Sequence, residues 1–343
     1  MQETTEKRVN IRDIATRAKV SPSTVSRVLN NSESYIPIAK ATRERVEKVA
    51  EEMGYIPNVN AKRLFSKKSR VLGMVVPPLY SLIGQGNTLR LDKADKHVSE
   101  AINGVLEGVQ SKDYNLMLVV GDQKFMEKKV YLDLFRSRGV DGLLIMGACF
   151  DDRYIDELAL RERAFVLLNT HMDGVKRNRA SVDNFEASAE LARHLVSLGH
   201  RRISYVGGYE RSSIGVERKN GFLSVLREHG LLDESLIIGG DYSLDSGRDA
   251  ATRLLSTDAN LTAIGCANDF MALGVMEVLK ERGVQVPTDI SLTGADGAFP
   301  YQEKPLTTFS PPMYTMAKET AIALIEHLDA PNSQHIENPW IDQ

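Results

Sequence analysis

The sequence predicts a small all-α module followed by an α/β body of two doubly wound, parallel-sheet halves. Three observations carry this. Two short, apolar-periodic segments with capping residues lie close together near the amino terminus, and from Val71 short apolar runs alternate with amphipathic helices. Charge is also divided unevenly: residues 1–70 hold 15 Lys+Arg against 8 Asp+Glu, and residues 71–343 hold 28 against 38. A cationic module suits a phosphate backbone as partner, and an acidic body suits something smaller.

At 343 residues, with 42% hydrophobic and 26% charged residues, the chain has room for a sizeable core and no run of about 18 apolar residues for a membrane. Residues 1–8 (Met1 to Arg8) lack the apolar core of an export signal, so they read as a loose tail on a protein that stays in the cytoplasm. Cys149 and Cys266 are each expected inside a strand; a reducing compartment and burial fit them better than a disulfide or a catalytic thiol.

The module spans residues 9–57. Asn10 caps a first helix whose positive end Asp13 favours, with Ile11, Ile14, Ala15 and Ala18 on one face. Lys19-Val20 makes the turn. Ser21 caps a second helix, Pro22 suits its first position, and Val25, Val28 and Leu29 form its apolar stripe. Ser21, Ser23, Thr24, Ser26, Arg27 and Asn30 crowd the other face with hydrogen-bonding groups that reach base edges and phosphates, the pattern of a helix-turn-helix entering a major groove. After Pro37 a longer helix places Val46, Val49, Ala50 and Met53 together and stops at Gly54.

Residues 58–70 form a basic hinge that is expected to fold only on DNA. Asn58, Ala61 and Lys62 suit a minor groove, and Leu64 is placed to wedge between base steps.

The run Val-Ser-x-x-Thr-Val-Ser-Arg-Val-x-Asn at 20–30, Thr42-Arg43-x-Arg45-Val46 and Tyr55-Ile56-Pro57-Asn58 leading to Ala61 and Leu64 resemble the headpiece of the lactose/galactose repressor family. The resemblance implies that Pro22 and Ser23 hold the positions that vary with operator sequence, that Arg27 contacts a base or phosphate and that Leu64 is the hinge wedge. The loop from Asn31 to Ile38 is longer than usual for that family.

In the body, runs at 71–76, 115–120, 142–146 and 164–168, then at 203–206, 236–239, 263–267 and 291–294, read as buried parallel strands. Helices at 186–197, 218–228, 246–255 and 269–281 make right-handed crossovers. Ligands bind at the carboxyl ends of such strands, where Asn169, Asn268, Asp269 and Asp296 follow apolar runs and Arg218 opens a helix after Gly207-Gly208. Their amide, carboxylate and guanidinium groups suit vicinal hydroxyls, and Tyr242 can wall a sugar ring. Asp269 reads as a helix cap.

The resemblance continues to about residue 330 through Ser181-Val182-Asp183-Asn184, Leu198-Gly199-His200-Arg201-Arg202, Arg218-Lys219-Asn220-Gly221-Phe222, Asn268-Asp269-Phe270-Met271-Ala272-Leu273-Gly274 and Pro305-Leu306-Thr307-Thr308. It implies a periplasmic-binding-protein-like effector body, residues 71–343, with one subdomain over 71–181 and 309–335 and the other over 182–308. In it Arg218, Asn268 and Asp296 hold the effector, with Asn169 and Tyr242 nearby. Ala295 and Gly297 stand where the family usually has an aromatic and an acid, and Tyr80 to Ser99 is lengthened.

No G-x-G-x-x-G follows a strand, and the histidines, His97 among them, are scattered and read as solvated or capping, so an enzyme, a cofactor and a metal are not expected. A secreted sugar-binding protein is disfavoured by the basic module and the missing signal. The expectation is a repressor, bound as a homodimer to a pseudo-palindromic operator and controlled by a small carbohydrate. A purine or sugar phosphate is the alternative effector. Without a terminal leucine-heptad tail, no tetramer of that kind is expected.

Overall fold

The computed structural model describes residues 9–29, 38–55, 68–77, 83–84, 88–89, 96–170, 172, 178–257, 260–298 and 306–330. The expected tail, Asn30, most of the loop expected from Asn31 to Ile38 and most of the expected hinge therefore lie outside the described residues. Internal contacts divide the chain into two compact units between Ser69 and Arg70.

In the first unit, α1 (Ile11–Ala18) begins in a capping box. The Asn10 side chain accepts the amides of Arg12 and Asp13, and the Asp13 carboxylate accepts the Asn10 amide at 2.9 Å. Lys19 closes α1 in the left-handed region at φ 51°. The second helix, α2 (Pro22–Leu29), starts where the Ser21 hydroxyl accepts the Thr24 amide at 3.1 Å. The third, α3 (Lys40–Glu52), is followed by Gly54 at φ +59°. Ile14, Ala18, Val25, Val28, Val46 and Ala50 close one small core between these helices. Arg45 of α3 donates to the Ala18 carbonyl at 3.0 Å, which fixes α3 against the turn.

The second unit holds two parallel sheets. The first is ordered β4-β1-β5-β6-β7, from β1 (Val71–Val76), β4 (Asn115–Val120), β5 (Gly142–Met146), β6 (Phe165–Leu168) and β7 (Arg179–Ala180). A short antiparallel pair, β2 (Ile83–Gly84) and β3 (Thr88–Leu89), lies apart from it. The second sheet is ordered β11-β10-β8-β9, from β8 (Ile203–Val206), β9 (Ile237–Ile238), β10 (Ala263–Cys266) and β11 (Ser291–Thr293).

On the first sheet lie α4 (Lys96–Ser111), α5 (Gln123–Glu127), α6 (Val130–Arg136) and α7 (Arg153–Leu160). On the second lie α8 (Asn184–Ser197), α9 (Ser213–Glu228), α10 (Leu244–Thr257) and α11 (Asp269–Glu281). The chain then crosses back. Thr307 bridges Thr293 of β11, and α12 (Met313–Asp329) packs along α4 on the first sheet. A Cβ on Gly104 of α4 would sit 2.1 Å from the Tyr314 carbonyl oxygen, so only glycine permits this approach.

Four expectations need correction. β4 is an edge strand with Asn115 and Met117 exposed, because nothing described pairs on its outer side. Arg218 does not open its helix; α9 begins at Ser213, so Arg218 sits in its second turn. The strand expected at 236–239 shrinks to Ile237–Ile238, since Glu234–Leu236 forms a 3-10 turn braced by Asp233. Cys149 lies beyond the end of β5 and is half-buried, whereas Cys266 is buried in β10. Burial raises both thiols, Cys149 to about 11, so neither is poised as a nucleophile.

Candidate functional site

Helix α2 presents the face expected to meet DNA. Ser21, Pro22 and Ser23 are exposed, Thr24, Ser26 and Arg27 are half-buried, and Val25 and Val28 face the core. The Ser21 hydroxyl lies 2.8 Å from both the Ser23 and the Thr24 hydroxyls while it caps the helix. Ser21 is thus committed first to holding the helix start, and through it the two following hydroxyls are oriented. Asn30, Asn58, Ala61, Lys62 and Leu64 fall outside the described residues.

In the body the carboxyl ends of the two sheets converge on Arg218. Its side chain is 2% exposed, and each of its three nitrogens has a partner. Nε donates to Asn184 Oδ1 at 3.0 Å, one terminal nitrogen to the Ala267 carbonyl at 2.8 Å, and the other to Asp296 Oδ1 at 2.7 Å. The guanidinium also lies 4.9 Å from the centre of the Phe309 ring. A charge taken this far out of water survives only with a paired counter-charge and a full set of acceptors. Burial works against the ionised form, but the charge and hydrogen bond of Asp296 outweigh it and hold the guanidinium pKa above its usual value. Burial likewise opposes the Asp296 carboxylate, and Arg218, followed by His97, keeps its pKa below the usual range. The backbone of Asp296 sits at φ 100°, in the left-handed region.

The first sheet contributes Asn169, just past β6, and His97, in the first turn of α4. Asn169 Nδ2 lies 3.0 Å from His97 Nε2, and its Oδ1 accepts from Asn184 Nδ2 at 3.2 Å and from the Ser181 hydroxyl at 3.3 Å. His97 Nδ1 stands 3.9 Å from Asp296 Oδ1. Burial lowers the His97 pKa more than Asp296 raises it. His97, Asn169, Asn184, Arg218 and Asp296 therefore make one continuous polar chain between the sheets. Next to it, Lys96 donates to the Gly297 carbonyl at 2.9 Å.

The histidine expectation fails at His97, which is buried because the start of α4 abuts the Asp296 loop. Asn184 and Phe309 were also missed as site residues; Asn184 stood inside a recognised motif, whereas nothing in the sequence marked Phe309. Asn268 is placed differently from the expectation. It caps α11 by accepting the Met271 amide at 2.9 Å, and it donates to the Tyr242 carbonyl at 3.0 Å, so its amide supports the wall of the site. Asp269 is not the cap. It accepts the Ala298 amide at 2.6 Å and the Thr308 hydroxyl at 2.8 Å, and burial raises its pKa to about 6.

Tyr242, at φ 70°, lays its ring against the helix-entry loop, where a Cβ on Gly208 would fall 2.3 Å from the ring. Gly297, at φ +62°, has the Ser310 Cβ where its own Cβ would lie 2.7 Å away, which explains why no acid stands there. Two concavities lie away from Arg218: one of about 190 Å³ flanked by His194, Leu198, Met276 and Leu306, and one of about 340 Å³ flanked by Phe150 and Arg153.

A helix-turn-helix module in front of two parallel sheets that share a buried polar chain defines the class: a DNA-binding head on a periplasmic-binding-protein-like body. Residues 10–58 match the model of the bacterial regulatory proteins of the lacI family, and residues 192–340 match the periplasmic binding protein-like domain. The chain is 30% identical over 338 residues to the HTH-type transcriptional repressor CytR of Escherichia coli, covering 96% of this chain and 92% of that one. It is 31% identical over 332 residues to the HTH-type transcriptional repressor PurR of Vibrio atlanticus, covering 93% and 91%. The solved complex of the transcriptional regulator CelR with cellobiose superposes with a TM-score of 0.70 at 26% identity and covers 96% of both chains. This chain belongs to the lacI family of bacterial regulatory proteins. It is a DNA-binding transcriptional regulator and not an enzyme. Among the described residues, no helix is long and apolar enough to cross a membrane.

Proposed function

We propose that this protein is a cytoplasmic repressor that binds a pseudo-palindromic operator as a homodimer and is switched by a small carbohydrate held between the two sheets of its body. The observation that carries the effector reading is Arg218, a 2% exposed guanidinium paired with Asp296 where strands of both sheets end. Arg218 and Asp296 would bind paired hydroxyls, Asn169 and His97 would approach from the first sheet, and Tyr242, held by Asn268, would wall the ring. The cellobiose in the CelR complex supports a carbohydrate. The family headpiece supports reading by Ser21, Pro22, Ser23, Thr24, Ser26, Arg27 and Asn30 in the major groove. It also supports Asn58, Ala61, Lys62 and Leu64 in the minor groove, with a hinge at 58–70 and subdomains over 71–181 with 309–335 and over 182–308.

The effector would act by changing how the two subdomains sit together, which alters the paired hinges and so the stability of the dimer on DNA. A thermal-shift screen of sugars, sugar phosphates and purines identifies the ligand, because one that binds only the folded state raises its apparent stability. Titrations with that ligand and with operator DNA selected from a random pool by the protein then test the switch. Each must change the other's affinity by the same factor; independent affinities would refute it. A purine as the sole hit would move the reading to its alternative.

A further inference from the structure

Two loops of the body meet, one from each sheet. The loop between β5 and α7, Cys149 to Asp152, belongs to the first sheet, and the loop between β8 and α9, Tyr209 to Ser212, belongs to the second. Cys149 and Ser212 form an isolated antiparallel bridge, and the Phe150 amide donates to the Arg211 carbonyl at 3.0 Å. The Arg211 guanidinium grips Asp151 with two nitrogens, Nε on Oδ1 at 2.9 Å and a terminal nitrogen on Oδ2. Its remaining nitrogen donates to the Tyr209 hydroxyl at 3.1 Å, and the guanidinium stands 5.8 Å from the centre of that ring. On the other side, the Asp152 carboxylate accepts the Cys149 amide at 2.7 Å and so holds its own loop in shape. Both partners of the ion pair are about half exposed, at 54% and 56%, so they are accessible to salt.

We propose that Asp151 and Arg211 are positioning residues that clasp the two halves of the body and so set the fraction of molecules in which those halves are closed on each other. Neither is among the buried groups around Arg218, and the clasp lies outside the polar chain from His97 to Asp296. Its consequence for effector affinity rests on the function proposed above, since a ligand that binds the closed form is weakened in proportion to the closed fraction. The contact itself does not rest on it. A bidentate geometry backed by a two-strand bridge holds the loops in one register, whereas a lone surface pair contributes little.

The test uses the full-length chain without effector or operator, so its outcome is separable from the identity of either. Spin labels on Lys124→Cys in α5 and Asp245→Cys in α10, with Cys149→Ser in every sample, report the distance between the two halves by pulsed electron resonance. Asp151→Ala and Arg211→Ala should each raise the ratio of open to closed molecules about two- to fivefold, the range of an exposed ion pair. Exchanging the charges, Asp151→Arg with Arg211→Asp, should restore the closed distribution. Raising NaCl to about 1 M should open the parent but change neither alanine variant further. Unchanged distances in both alanine variants would overturn the proposal, as would a charge-exchanged protein as open as either single variant.

Discussion

Replacing Asp296 by alanine tests how the buried charge at the centre of the body is held. In the native protein the carboxylate meets Arg218 at 2.7 Å, and the Arg218 side chain is 2% exposed. Asp296→Ala leaves that guanidinium with the Asn184 side chain, the Ala267 carbonyl and the Phe309 face, but without the carboxylate paired to it. Breaking one partner of a buried pair costs about 3–5 kcal/mol, because the remaining charge stays out of water. For a body of this size each kcal/mol moves the melting temperature by about 2–4 °C, so a fall on the order of 10 °C is expected. Asp296→Asn keeps an acceptor for Arg218 and should lose less. Circular dichroism melts of the full chain at neutral pH measure both. The pH dependence has a definite sign: because the folded pKa of Asp296 is depressed, its contribution is complete above the unfolded carboxylate value near 4 and is lost as pH falls through the folded value. The difference between native and alanine proteins should therefore shrink in acid. An alanine variant that melts within about 2 °C of the native protein would show that Arg218 is solvated or otherwise neutralised, and the reasoning would fail.

Asp269 should show the opposite pH trend. Its folded pKa of about 6 lies above the unfolded value, so its contribution is fully present below about pH 4 and is lost as pH rises through 6. The native protein should lose on the order of 3 kcal/mol relative to Asp269→Asn across that window, and parallel urea stability curves for the two would count against it. Gly104→Ala should destabilise by more than the usual helix propensity allows, because its methyl meets the Tyr314 carbonyl at 2.1 Å. A melt equal to or above the native one would mean that α4 and α12 separate easily. Arg27→Ala should weaken binding to the selected operator about tenfold or more. An unchanged salt slope would place the lost contact on a base, a slope reduced by about one would place it on a phosphate, and unchanged affinity would remove Arg27 from the interface.

Much of the fold was legible because its strands are continuous apolar runs. Val71–Val76 and Gly142–Met146 are buried at every position, so composition alone marks them. β4 has a similar composition, but whether a strand is central or at an edge depends on neighbours far along the chain. β7 is too short to show a period. The start of α9 was hidden because Ser213, Ile214 and Gly215 carry no strong helical signal. Asp296 could be picked out as a charged group just past an apolar run, and Arg218 as one in the helix that follows Gly207-Gly208. His97 could not: it is 72 residues from Asn169, its hydrogen-bonding neighbour, and only the packing of α4 against the Asp296 loop makes it part of the site. Asn268 illustrates the reverse difficulty, since one amide at the end of a strand serves equally well as a ligand contact or as a helix cap.

The crossing of the chain back to the first sheet also governs the order in which the protein can mature. α4 ends at Ser111, and the helix that covers its apolar side begins only at Met313, about 200 residues later. At ordinary elongation rates the ribosome needs about 10–40 s to make that stretch. During this interval the headpiece has every residue of its core, while α4 must wait without the helix that packs on Gly104 and Gly108. A nascent chain of this protein is thus equipped with its helix-turn-helix well before the first sheet can close its core.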